Sequence, residues 1–172
     1  YDAGLVSMDE EALATEILAC PVFWQPRKSL VWVTGGEPAV WGDFDVVMEH
    51  VFSKTAKEAT TIFYHLETNG TQWWPWMKKV DLAVSPKAGL REIPHDVRMW
   101  TRYLVFLVGD DVEPYYDTEQ FFLGRFPALQ QMYLLPVRGP AYEKNLAAAR
   151  VYAAAFPKFK VIGDRNVDAD HS

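Results

Sequence analysis

The sequence predicts an α/β fold built on a parallel sheet, either a partial barrel or an open curved sheet. Three observations carry this. Six short apolar runs alternate with helical or mixed segments, and alternation of that kind implies parallel pairing through right-handed crossovers. Glycine-containing or polar clusters follow each of the first three runs, where parallel α/β folds place their ligands. The chain has 172 residues, whereas a full eight-stranded barrel needs at least about 200.

The elements follow in order. Ser7 with Glu10 forms a capping-box pattern, and Met8, Ala12, Leu13, Ile17 and Leu18 repeat at helical spacing until Pro21. Residues 29–34 (SLVWVT) form an apolar run ended by Gly35-Gly36, the pattern of a strand buried on both faces. A helix is predicted over 44–52, a strand over 61–66 (TIFYHL) and another over 80–84 (VDLAV). Residues 102–108 (RYLVFLV) give the clearest strand. Beyond it the pattern predicts a helix over 118–126, a strand over 131–135, an alanine-rich helix over 141–155 and a last strand over 159–162. No repeat, low-complexity tract or linker divides the chain, so residues 1–172 are treated as one domain.

Composition narrows the function classes. Seventeen basic against 23 acidic side chains give a net charge of −6, which argues against a nucleic-acid partner held by its phosphates. No run reaches the roughly 18 apolar residues of a membrane span, and Tyr1-Asp2-Ala3-Gly4 has neither part of a signal peptide, so a cytoplasmic protein without a membrane partner is expected. The single cysteine, Cys20, excludes an internal disulfide and any zinc or iron–sulfur site made from this chain's cysteines alone.

Three clusters fall on one predicted rim: Thr34-Gly35-Gly36-Glu37-Pro38, Glu67-Thr68-Asn69-Gly70-Thr71 and Ser85-Pro86-Lys87. Gly35-Gly36 allows close approach to the backbone, and Glu37 places a carboxylate there, a combination suited to an ammonium group. Paired glycines also simply turn a strand into a helix with Glu37 solvated, and spacing does not separate the two readings. The phosphate-loop patterns GxxxxGK and GxGxxG are both absent. Glu67 suits a hydroxyl or amine, Asn69-Gly70 suits a tight turn, and Lys87 suits either a carboxylate partner or the solvated surface. His50, His65, His95 and His171 show no metal-binding spacing. Trp73, Trp74 and Trp76 predict a satellite core or a subunit contact, which leaves a homodimer open, while stacking on nucleic-acid bases is a third reading that the acidic balance disfavours.

In order, Thr-Gly-Gly-Glu-Pro, Glu-Thr-Asn-Gly-Thr and Val84-Ser85-Pro86-Lys87 resemble the radical S-adenosylmethionine enzymes called 7-carboxy-7-deazaguanine synthases. The similarity continues through Tyr103-Leu104-Val105-Phe106 and through residues 133–140 (YLLPVRGP) to Asn145, and so covers roughly residues 7–160. The resemblance implies a partial (β/α)₆ barrel and a lyase of queuosine biosynthesis that converts 6-carboxytetrahydropterin to 7-carboxy-7-deazaguanine. It further implies that Gly35, Gly36, Glu37 and Ser85 bind S-adenosylmethionine, and that Thr34, Glu67, Asn69, Lys87 and Pro136 lie at a pterin-like substrate. A 4Fe–4S cluster and an electron donor such as flavodoxin belong to the same implication.

Two positions depart from the family. Its CxxxCxxC loop lies upstream of the segment matching residues 8–18, where this sequence has seven residues and no cysteine. The expectation is a fragment lacking the barrel's first strand, inactive in radical chemistry as it stands, with residues 29–34 as a sheet edge. The family's magnesium position belongs to that loop, so magnesium stays open. Second, the family's Gln-Thr-His-Lys after the last strand is replaced by Ile162-Gly163-Asp164-Arg165-Asn166, and a Gln preceding the matched Pro by Leu135, which leaves the substrate open. Two alternatives stand beside this reading. One is a cluster-free subunit that binds S-adenosylmethionine or a pterin; the other is a metal-independent α/β-barrel enzyme using Glu37, Glu67 and Lys87.

Overall fold

A computed structural model describes residues 9–19, 29–34, 36–40, 42–55, 62–86, 93–109 and 125–163. Within them six strands form one sheet in the order of the chain: β1 (Ser29–Val33), β2 (Ile62–Thr68), β3 (Asp81–Val84), β4 (Thr101–Val108), β5 (Gln131–Pro136) and β6 (Phe159–Val161). Every neighbouring pair is parallel. The helices are α1 (Glu10–Ala19), α2 (Phe44–Thr55), α3 (His95–Trp100) and α4 (Tyr142–Ala155), with 3₁₀ turns at Pro38–Val40 and Pro75–Lys79. This is an α/β architecture, as expected, a parallel sheet whose strand order repeats the chain order.

Alternation along the strands assigns the two faces of the sheet. Leu66, Leu82, Val84, Leu104, Met132 and Leu134 are each at most 2% exposed and point to one face. There they pack with Val47, Met48 and Val51 of α2 and Leu146 and Ala149 of α4 in a single core. Phe52 of α2 meets Tyr64 of β2 edge to face at 4.8 Å, and Tyr152 of α4 meets Phe159 of β6 at 5.2 Å. The opposite face carries Trp32, His65, Tyr103 and Tyr133 in a row across β1, β2, β4 and β5, with successive ring centroids 4.8, 5.8 and 6.2 Å apart.

Several elements differ from expectation. The N-terminus of α1 is capped by Asp9, whose carboxylate accepts the Ala12 N–H at 2.8 Å; Ser7 lies outside the described residues. A short acidic side chain one residue before the helix meets its unpaired N–H groups as well as a serine does. β1 is not buried on both faces: among the described residues it pairs with β2 alone, Trp32 is 57% exposed, and Val31 and Val33 are half-buried. β2 runs two residues beyond expectation, because Glu67 and Thr68 continue the ladder opposite Ala83 and Val84. The helix predicted over 118–126 lies outside the described residues except for Arg125 and Phe126, which are not helical. The tryptophan cluster belongs to the main core. Trp76 is 1% exposed and packs against Phe44 and Phe52, while Trp74 donates its indole N–H to the Ala39 carbonyl at 2.9 Å.

Candidate functional site

Parallel strands of one sheet end on a common rim, and the turns leaving β1, β2 and β3 meet there. Val33 pairs with Leu66, so the next residues along, Thr34 and Glu67, lie side by side. The Thr34 hydroxyl donates to Glu67 Oε2 at 2.8 Å. Beyond Thr34 the chain turns through Gly36, whose φ of +57° is a left-handed conformation that glycine adopts without a Cβ penalty. Among the described residues, chain neighbours aside, no atom lies within 4 Å of where a Gly36 Cβ would stand, so the backbone conformation sets the requirement there.

Glu37 is half-buried, and its carboxylate reaches across to β2. Oε1 accepts the Thr68 hydroxyl at 2.5 Å and the Ala39 N–H at 3.1 Å; Oε2 accepts the Asn69 N–H at 2.5 Å. A carboxylate offers about four acceptor positions. Three are filled from within the chain, and one on Oε2 is left for a further donor.

Asn69 is held in a turn, its Oδ1 accepting both the Thr71 N–H at 2.9 Å and the Thr71 hydroxyl at 2.7 Å. Gly70 has φ +78°, and a Cβ built there would stand 2.6 Å from Val84 Cγ1, so both conformation and space require glycine. Ser85 follows β3 and donates its N–H to the Thr68 carbonyl at 2.8 Å. Pro136 ends β5, buried, opposite Val108. Thr34 with Glu67, and Glu37 with Thr68 and Asn69, thus form two neighbouring sets of hydrogen bonds, with Ser85 tied to the second through the Thr68 carbonyl, while Pro136 belongs to a more distant strand end. Gly35 and Lys87 lie outside the described residues.

The rim is acidic. The ion pairs among the described residues are Lys79 with Glu49 at 2.9 Å and Arg102 with Asp81 at 2.6 Å. Neither involves Glu37 or Glu67. Below the rim, His65 sits between Trp32 and Tyr103; burial holds its pKa below the usual 6.5, against the opposing pull of Glu67 and Asp81. Tyr103 is pushed above its usual 10.0, first by burial and then by Asp81 and Tyr133, with Arg102 opposing. Its phenol donates to Gln130 Oε1 at 3.2 Å.

No group of three or more His, Cys, Asp or Glu side chains among the described residues could hold a metal ion. A 4Fe–4S cluster needs at least three thiolates, and one cysteine per chain does not fit it. Two features of the site were not singled out from sequence. One is the aromatic row, whose members come from four different strands. The other is Thr68, which is 4% exposed and central to the rim. A threonine closing a strand just before Asn-Gly is the local signal that marks it, since its hydroxyl can accept the Gly70 N–H at 3.1 Å.

No family model matches this chain, and no curated protein matches its sequence. Among solved structures the fold is similar to the crystal structure of QueE from Escherichia coli, with a TM-score of 0.60 and 17% sequence identity. The match covers 90% of this chain and 63% of that one, so this chain spans under two thirds of that protein's length. At this identity the likeness is one of fold.

Proposed function

We propose that this chain is the ligand-binding part of a QueE-like radical S-adenosylmethionine enzyme, with the rim of β1 to β3 receiving S-adenosylmethionine and a pterin-like substrate beside it. One observation carries the reading. Two carboxylates, Glu37 and Glu67, stand on adjacent strand ends, fixed by hydroxyl and amide donors, and no cation among the described residues neutralises them. S-adenosylmethionine brings two positive groups, an ammonium and a sulfonium, and an acidic rim favours both. The fold likeness to QueE, a 7-carboxy-7-deazaguanine synthase, and the ordered motifs described above support the same assignment.

In this reading the ammonium takes the open acceptor position on Glu37 Oε2, with Gly35, Gly36 and Ser85 along the same ligand. Thr34, Glu67 and Asn69 turn toward the substrate, with Lys87 and Pro136 at its edge. Radical chemistry in this family is supplied by a 4Fe–4S cluster. One cysteine does not provide its ligands, so its thiolates would come from residues outside this sequence. What the present residues supply is binding and orientation. The single cysteine also favours a second reading, a subunit that binds S-adenosylmethionine without cleaving it.

Titration calorimetry of the 172-residue chain with S-adenosylmethionine tests the proposal. Saturable binding is expected, with Glu37→Gln weakening it about tenfold or more, the effect of losing a hydrogen bond to a charged acceptor. A folded chain that binds no S-adenosylmethionine, or a Glu37→Gln variant that binds it equally well, removes the reading. Cleavage of bound S-adenosylmethionine after a CxxxCxxC-bearing extension is fused and reconstituted separates the enzyme from the binding subunit.

A further inference from the structure

We infer that Thr68 is a positioning residue that sets the orientation of the Glu37 carboxylate and couples the three turns of the rim. The inference rests on the reading of the rim as a cation-binding site. Thr68 is one of three buried polar residues among those described, and its hydroxyl and its carbonyl both bond to turns of the rim. Its hydroxyl donates to Glu37 Oε1, on the turn after β1. The same oxygen accepts the Gly70 N–H, on the turn after β2. Its carbonyl accepts the Ser85 N–H, on the turn after β3.

The hydroxyl has one proton. A carboxylate only accepts, so the proton is directed to Glu37 while a lone pair of the same oxygen accepts from Gly70, and the polarity of the contact is fixed. With the Ala39 and Asn69 N–H groups on the same carboxylate, the side chain is held by three donors on two turns and one strand end. This leaves the remaining Oε2 position facing the rim with a defined direction. Removing the Thr68 hydroxyl leaves Oε1 with the Ala39 N–H alone and loosens the orientation of the carboxylate, which weakens recognition of a cation without touching the cation itself.

The test compares Thr68→Val, which keeps the branched shape and loses the hydroxyl, with Thr68→Ser, which keeps the hydroxyl. S-adenosylmethionine is the probe in calorimetry, thermal melting reports folding, and amide hydrogen exchange reads Ala39 and Asn69 in the free protein. Thr68→Val is expected to weaken binding about tenfold, Thr68→Ser to bind within about threefold of wild type, and exchange at both amides to accelerate in Thr68→Val alone. In a Glu37→Ala background, where both amides have already lost their acceptor, Thr68→Val should add no further acceleration; a purely structural role would add one. A folded Thr68→Val with wild-type affinity and wild-type exchange at Ala39 and Asn69 overturns the inference. If wild type itself binds no S-adenosylmethionine, the reading of the rim falls, and exchange alone decides the positioning role: acceleration upholds it and unchanged rates overturn it.

Discussion

His65 shows how a single residue on the open face of the sheet couples to pH. Its ring lies 4.8 Å from Trp32 and 5.8 Å from Tyr103, and burial disfavours the imidazolium more than Glu67 and Asp81 favour it. Asp81 is itself paired with Arg102, which weakens its pull on the imidazole. A folded pKa below the unfolded value of 6.5 makes the unfolded chain the stronger proton binder between the two. The stability that the neutral ring contributes is therefore full above pH 6.5 and is lost as the pH falls through that value toward the lower folded pKa. His65→Phe keeps an aromatic ring in the row and removes the titration. Urea unfolding at about pH 7.5 and about pH 5 should show a smaller loss of stability on acidification for the variant than for wild type; equal losses would exclude His65 as a contributor.

At the scale of the element, β1 and β4 differ in kind. β4 is hydrogen-bonded on both sides, to β3 and β5, and its core-facing residues Leu104 and Phe106 are buried. β1 is bonded by β2 on one side among the described residues, and carries the exposed Trp32. Native-state amide exchange should therefore be slower across β4 than across β1, by the free energy that separates sub-global opening from fraying. Equal protection of the two would mean that the free side of β1 is covered in solution. The same contrast explains what the sequence revealed. Apolar runs marked all six strands to within about two residues, because their core-facing residues are apolar and several positions on the opposite face, Trp32, Tyr103 and Tyr133 among them, are aromatic. The ends of β2 and the six-residue α3 escaped it, one because Glu67 and Thr68 are polar yet still paired, the other because a single turn and a half has no period to detect. The rim positions were legible as residues after strands, but the Glu37–Thr68 bond was not. It spans 31 residues and depends on the pairing of Val33 with Leu66, a register that no local pattern encodes.

For the whole molecule, the decisive number is one cysteine in 172 residues. If the chain is purified and treated anaerobically with iron and sulfide, no 4Fe–4S absorbance should survive desalting, while binding of S-adenosylmethionine persists. A stable cluster held by this chain alone would contradict the assignment of its thiolates to residues outside the sequence. The sheet order β1-β2-β3-β4-β5-β6 has a further consequence, for synthesis on the ribosome. Because spatial order repeats chain order, each strand on emerging finds its partner already in place, and growth proceeds by adding to one end of the sheet. Among the described strands, none has to be threaded between two earlier ones. The turns after β1, β2 and β3 can then come together before β5 and β6 have joined the sheet.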